Sequence, residues 1–291
     1  MARYSVSHHT TYLHSAPATA AWQVLHLNPR NEVAQTLRGF ELEITPRAGD
    51  LACREDHFGN RMHVFTLAES HTRLDIISRS VVDRCQPAAF AEESSPRLSD
   101  VRRMTDPALA SGAGRRLDEF LQPSPRVSFE PEARLLAPRS ADTPVLTWVR
   151  ETVDALNDAF RFEPGATSVS TSLQEVLRLR RGVCQDFAHL LISCLRQHGL
   201  PAAYVSGYLL TEPPPGSPRL LGADASHAWV SVHVPEFGWI DYDPTNRCLA
   251  GGDHIVVARG RDYSDVSPVK GVFRGGGEHQ LRTGVTVEPL N

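Results

Sequence analysis

Three residues carry side chains that, in their order and spacing, can make and break an acyl bond. Cys184 follows a glycine and a valine at the head of a helical pattern. His227 stands 43 residues further on, at the start of a strand pattern, and Asp243 another 16 on, at the end of the next strand. A helix N-terminus offers unpaired amide N–H groups and a positive potential. Both favour a thiolate, so Cys184 is expected to have a depressed pKa and to be nucleophilic. The same N–H groups can hold an oxyanion during acyl transfer. Taken alone, a free cysteine is more often a small buried hydrophobe. The combination says more. If the two strands pair around a turn at 235–238, His227 and Asp243 come side by side. The carboxylate then fixes the imidazole tautomer, and the imidazole can deprotonate a thiol presented by the helix.

The elements that must position these residues are legible in the periodicity. Residues 184–198 read as a helix, with Cys184, Phe187, Ala188, Leu191, Cys194, Leu195 and His198 on one stripe, Gly199 as a C-cap and Pro201 as a stop. Before it, 172–181 reads as a short helix broken by Gly182. Further upstream, Val145, Trp148, Val149, Val153 and Leu156 mark a helix that Thr143 should cap, with Pro144 in its first turn. Residues 203–210, 227–234 and 239–243 read as strands, and the loop over 211–226 is a candidate lid, though an ordinary surface loop serves as well.

The first 88 residues read as β. Tyr4, Val6 and His8, and again Phe40, Leu42 and Ile44, alternate with polar residues, as one buried and one wet face require. Residues 62–67 and 74–78 look like hairpin arms, and 56–60 is a turn. Residues 89–140 are linker-like, with one helix expected over 107–121. The organisation expected is therefore a β-rich region (1–88), a linker with a helix (89–140), an α+β core (141–260) and a C-terminal β tail (261–291).

Composition narrows the function classes. A chain of 291 residues favours two domains, and 41% hydrophobic with 22% charged residues argues against wholesale disorder. A net charge of −4 gives no general attraction to nucleic acid or anionic lipid. No apolar stretch approaches the roughly 20 residues of a membrane span, and the first residues carry no signal-peptide core. Five cysteines without a CxxC pair point to free thiols in a reducing cytoplasm and away from a structural zinc site. No acidic loop has EF-hand spacing, so calcium is not expected; no cofactor and no metal are expected.

The segments Arg181-Gly182-Val183-Cys184-Gln185-Asp186-Phe187-Ala188-His189-Leu190, Gly199-Leu200-Pro201, His227-Ala228-Trp229-Val230 and Gly238-Trp239-Ile240-Asp241-Tyr242-Asp243-Pro244-Thr245-Asn246 resemble the transglutaminase-like superfamily. The first ~90 residues, with Asp56-His57-Phe58-Gly59-Asn60, and the tail around 261–275 are similar to its bacterial branch. This resemblance implies a papain-like α+β core, a catalytic helix packed on an antiparallel sheet, behind a β-rich N-terminal domain. It implies a triad of Cys184 as nucleophile, His227 as general base and acid, and Asp243 as its orienting partner. The Cys184 amide would supply part of the oxyanion hole. The resemblance also implies a peptide or isopeptide amide substrate, and a place alongside ligase-like proteins in a peptide-modifying system, although no residue marks a partner.

Several neighbours have two readings. Asp241 rivals Asp243 for the acid role, but the Asp-Pro-Thr-Asn match favours Asp243. Gln185, Asp186, Tyr208 and Trp229 are candidates for substrate contact. Asp186 and Gln185 equally suit the first turn of a helix, and Trp229 equally suits a sheet core. His189 reads as structural, and Arg178, Arg180 and Arg181 as complements to their own helix end. The expected reaction is hydrolysis of an amide through a thioester, with transamidation if an amine takes the place of water. Two rivals are a non-catalytic scaffold of the same fold that binds peptides or a partner, and a metal site built from Cys184, His189 and His227.

Overall fold

A computed structural model of the chain describes residues 1–87, 89–105, 117–138, 140–211 and 226–290. The N-terminal sheet is organised by one long strand, β1 (Ala2–Leu25), whose front half buries Tyr4, Val6, His8 and Thr10 in alternation. β2 (Gln35–Thr45), β3 (Asp50–Glu55), β4 (Arg61–Leu67) and β5 (His71–Arg84) join it in the order β2-β5-β1-β4-β3. β3 and β4 meet across the turn at 56–60, where Asp56 Oδ1 accepts the amides of Phe58 (2.9 Å) and Asn60 (2.8 Å). The expected hairpin between 62–67 and 74–78 is not formed. Both strands exist, but β5 pairs with the front of β1 and β4 with its back, so β1 runs between them. The register shifts between Leu13 and Ala18, around Pro17, which has no N–H to give to a ladder.

The middle of the chain supplies helices. α1 (Leu98–Thr105) and α2 (Pro131–Arg134) are short. The helix expected over 107–121 falls largely on 106–116, outside the described residues; within its span Asp118–Phe120 is a single 3-10 turn. α3 (Val145–Ala159) buries the expected stripe, Val145, Trp148, Val149, Val153 and Leu156. Its cap comes from elsewhere. Thr143 does not cap it; the Ser95 hydroxyl accepts the Leu146 amide at 3.1 Å, so a segment fifty residues upstream satisfies the free N–H.

β6 (Arg161–Phe162) and β7 (Arg181–Gly182) pair in parallel on either side of α4 (Leu173–Leu179). α4 is capped by Ser172, whose hydroxyl accepts the Glu175 amide at 3.3 Å. It ends at Arg180 in the left-handed conformation (φ 55°), two residues before Gly182. α5 (Cys184–Gln197) follows. It is buried from Gln185 to Arg196 on every side, more than the single stripe required. Arg196 is tolerated there because its guanidinium donates to the Ala202 (2.8 and 3.1 Å), Gln122 (2.9 Å) and Arg261 (2.7 Å) carbonyls.

β8 (Ala202–Leu209), β9 (Ser226–Val234), β10 (Gly238–Asp243), β11 (Cys248–Leu249) and β12 (His254–Gly260) form the second sheet, antiparallel, in the order β11-β10-β9-β8-β12. One face, with Ala202, Tyr204, Ala228, Val230 and Val232, packs against α5. Residues 212–225 of the candidate lid at 211–226 lie outside the described residues. After α6 (Tyr263–Val266), β13 (Val269–Gly275) and β14 (His279–Leu290) return to pair with β1. The C-terminal tail thus completes the N-terminal sheet. Tyr4, Val6, Val82, Val285 and Val287 of that sheet share one apolar core with α3, α5 and β8–β10. Each such side chain contributes about 1.5–3 kcal/mol by leaving water, so the two units hold each other in place. Among the described residues no helix is long and apolar enough to cross a membrane.

Candidate active site

The site forms where the start of α5 meets the facing ends of β9 and β10. Val183 precedes the helix in extended conformation, and Asp186, three residues on, reaches back to hold the turn. Its Oδ2 accepts the Val183 amide (2.8 Å) and the Thr167 hydroxyl (2.5 Å). A Cβ at position 182 would lie 2.5 Å from that same oxygen, which is why glycine stands there. Burial pushes the Asp186 carboxyl above its ordinary value, against the two hydrogen bonds. With Val183 satisfied, the amides of Cys184 and Gln185 are left without an acceptor among the described residues. They are the free donors of the helix start, next to the half-buried Cys184 sulfur.

β9 and β10 pair in register from Val234 opposite Gly238 to Val230 opposite Tyr242, so their far ends carry His227 and Asp243 together. His227 Nε2 lies 2.7 Å from Asp243 Oδ2, and Cys184 is the other side chain whose interaction raises the pKa of its ring. Burial alone would lower the His227 pKa. The bonds and charges of Asp243 and Cys184 outweigh it and raise the value to about 10. The imidazole therefore holds its proton through neutral pH, between a carboxylate and a sulfur.

Asp243 is fully buried and accepts five hydrogen bonds. Oδ1 takes the amides of Thr245 (2.9 Å) and Asn246 (3.1 Å). Oδ2 takes His227, the Asn246 side-chain amide (2.7 Å) and His254 Nε2 (3.1 Å). Burial opposes ionisation here, but these bonds and the charge of His227 hold the carboxyl well below the usual carboxylate range. His254 also accepts the Gly251 amide at Nδ1 (3.1 Å), which puts its own proton on Nε2, toward Asp243. His254 and Asn246 carried no assigned role in the sequence. Asn246 lies inside the Asp-Pro-Thr-Asn motif and could have been read as a carboxylate partner. His254 opens β12, a strand from the other edge of the sheet, and nothing in its local pattern marks it.

The remaining candidates are placed differently. Asp241 does not reach His227: its carboxylate pairs with Arg259 through two 2.9 Å contacts and accepts the Trp229 indole N–H at 3.0 Å. Trp229 is wholly buried and stands edge-on to His254 (ring centroids 5.2 Å). It backs the imidazoles, and Gly207 leaves the room its ring occupies. Tyr208, 2% exposed, points at the N-terminal sheet, where its hydroxyl meets His8 Nδ1 at 3.0 Å. Asp186 is occupied as the helix cap described above. Gln185 is 8% exposed in the first turn beside Cys184. His189 is buried and accepts the Tyr263 amide at 3.2 Å. Arg178 pairs with Glu175, Arg181 with Glu163, and Arg180 covers the Phe160 ring. Burial pushes the Cys194 thiol up to about 12, which leaves it protonated.

Among the described residues the group able to gather around a metal is His227, Asp243 and His254, not Cys184, His189 and His227. Asp243 Oδ2 is already filled by proton donors, so the trio is a hydrogen-bonded relay and a poor cation cage.

A helix-borne cysteine facing a strand-borne histidine and aspartate, on an antiparallel sheet, defines the papain-like class of thiol folds. Residues 135–244 match the transglutaminase-like superfamily, and residues 4–83 match the bacterial transglutaminase-like N-terminal region. Protein Rv2569c of Mycobacterium tuberculosis is 37% identical over 283 residues, 96% of this chain and 90% of its own length. The crystal structure of a candidate cysteine protease from Cytophaga hutchinsonii superposes with a TM-score of 0.76 at 19% identity, over 100% of this chain and 91% of that one. A protein-glutamine gamma-glutamyltransferase of Pseudomonas aeruginosa is 35% identical over 88 residues, 30% of this chain and 13% of its own. The chain belongs to the transglutaminase-like superfamily.

Proposed function

We propose that this protein is a thiol enzyme acting on peptide or isopeptide amide bonds through Cys184, His227 and Asp243. The observation that carries the reading is a single imidazole bonded to a buried carboxylate and held in its charged form by that carboxylate and by the sulfur at a helix start. The Cys184 sulfur bonds to the amide carbonyl carbon, and the negative charge that develops on the oxygen is met by the free Cys184 and Gln185 amides. His227 gives its proton to the leaving nitrogen as the C–N bond breaks, which leaves a thioester. His227, now neutral, takes a proton from water as its oxygen attacks the thioester, and the acid and the thiol are released. An amine in place of water gives a new amide. The Pseudomonas relative is a gamma-glutamyltransferase, which favours keeping that second outcome in the assay.

Hydrolysis is the outcome expected in water, because it needs no second binding site. Five free cysteines favour a reducing compartment, and we place the protein in the cytoplasm. It takes a peptide or protein substrate rather than nucleic acid or membrane, and a position in a peptide-modifying system is consistent with that chemistry. The test is release of amine from a library of peptide and glutamine amides, read by mass spectrometry, with Cys184→Ala as control. Turnover that disappears in the variant supports the proposal. Turnover that survives Cys184→Ala would refute the nucleophile.

A further inference from the structure

A cavity of about 1570 Å³ lies on the face of the second sheet away from α5. It opens between β10, the end of β5 and the segments at 30–34, 57–58 and 119–120. Neither Cys184 nor His227 is among its lining residues. Its walls are aromatic: Phe58, Phe90, Phe120, Phe237 and Trp239 all face it. Its floor carries charge. Arg259 is saturated there, donating to both oxygens of Glu32 (2.7 and 2.8 Å) and both of Asp241 (2.9 Å each). Arg30 donates to the Phe58 carbonyl (3.0 Å) and to Asn60 Oδ1.

Arg84 differs from both. It is 4% exposed and its side chain donates no hydrogen bond among the described residues; its Nε, like that of Arg30, is enclosed without a hydrogen-bond partner. The two carboxylates whose charges act on it, Asp241 and Glu32, are those already held by Arg259. Three guanidinium groups and three carboxylates line the cavity, but Glu119 pairs with His57, Glu32 with Arg259 and Arg30, and Asp241 with Arg259, which leaves Arg84 with no carboxylate in contact among the described residues. An unpaired buried charge is costly unless something completes it, and a planar guanidinium is best completed by a carboxylate.

We propose that this cavity binds an apolar carboxylate, whose anionic end pairs with Arg84 and whose aromatic or aliphatic body fills the space between the rings. The site is separate from the thiol chemistry and stands whether or not the proposed reaction is correct. Two sources share the chemistry: the free C-terminus of a peptide ending in an apolar residue, and a small free acid.

Isothermal titration of the full-length protein with N-acetylphenylalanine, with phenylpropanoate and with the neutral amide of each is the test. At least one acid should bind, and its amide should bind about tenfold more weakly or worse. Preference for N-acetylphenylalanine assigns a peptide C-terminus, and preference for phenylpropanoate assigns a small acid. Arg84→Met should remove the advantage of acid over amide while leaving the ligand-free melting temperature unchanged or higher, because it relieves an unpaired charge. If Arg84→Met does not fold, Trp239→Ala, which trims a half-exposed wall, should weaken the acid and the amide alike. No binding of either acid to the wild type, or equal binding of acid and amide, would overturn the proposal.

Discussion

Asp241 and Asp243 stand two residues apart on one strand and point to the same face, yet they belong to different chemistry. Asp241 is held by Arg259, a base too strong to part with its proton, and by the Trp229 indole. Asp243 is held by two imidazoles, an amide side chain and two backbone amides. The first carboxylate is locked into an ion pair that ties β10 to β12 and to Glu32. The second meets an imidazole, a group that can hand its proton on during a reaction, as a guanidinium cannot. Residue type and strand position do not separate them; the partner does. Trp229 lies between the two, with its N–H on Asp241 and its ring against His227 and His254.

The comparison can be broken most severely at the sulfur. Cys184→Ala should lower turnover of any confirmed amide substrate by at least about a thousandfold with an unchanged melting temperature. At the next level, Asp243→Asn should reduce kcat on the order of a hundredfold or more, because an amide neither fixes the His227 tautomer nor balances its charge. Asp241→Asn should show the opposite profile: stability falls by about 2 kcal/mol as the buried Arg259 loses half its partners, while kcat of the folded enzyme stays within a few-fold. Denaturant melts beside steady-state rates decide this pair. If Asp241→Asn were the catalytic lesion and Asp243→Asn the structural one, the assignment would be reversed.

A smaller effect is expected at His254. His254→Phe removes one donor to Asp243 and should cost about tenfold in kcat and shift the pH–rate profile, whereas His254→Gln, which keeps a donor, should restore most of both. A purely structural role would lower stability in both variants and leave the profile in place. pH adds the finest test. The His227 pKa is raised from 6.5 to about 10, so its contribution to stability is complete below pH 6.5 and is lost as pH rises toward 10. The melting-temperature gap between wild type and His227→Gln should therefore narrow from pH 6 to pH 10; a gap that widened would contradict the charged imidazole.

How much of this was written in the sequence follows the range of the interactions. The helix at 184–198, the strands around it and the pairing of His227 with Asp243 rest on local periodicity and on one short turn, so they were legible. The hairpin at 62–78 was misread because β1, sixty residues earlier, separates its arms, and strand order is a long-range property. Thr143 looked like a cap, yet the hydroxyl that reaches Leu146 belongs to Ser95. Tyr208 and Trp229 were read as substrate contacts from their place beside the motifs. The side chains of both are buried, Tyr208 on His8 of the N-terminal sheet and Trp229 on Asp241, contacts that local sequence does not show. His254 was invisible for the same reason: it reaches Asp243 from the far edge of the sheet.

The central claim is that His227 keeps a positive charge beside the Cys184 sulfur. The most direct measurement is the rate of iodoacetamide labelling at Cys184, followed by peptide mass spectrometry from pH 5 to pH 10 in wild type and His227→Ala, with exposed Cys53 as internal reference. The account predicts that at pH 6 Cys184 labels at least about tenfold faster in the wild type than in the variant, while Cys53 labels equally in both, and that the difference shrinks toward pH 10. A Cys184 rate that is the same in both proteins across the whole range would contradict it.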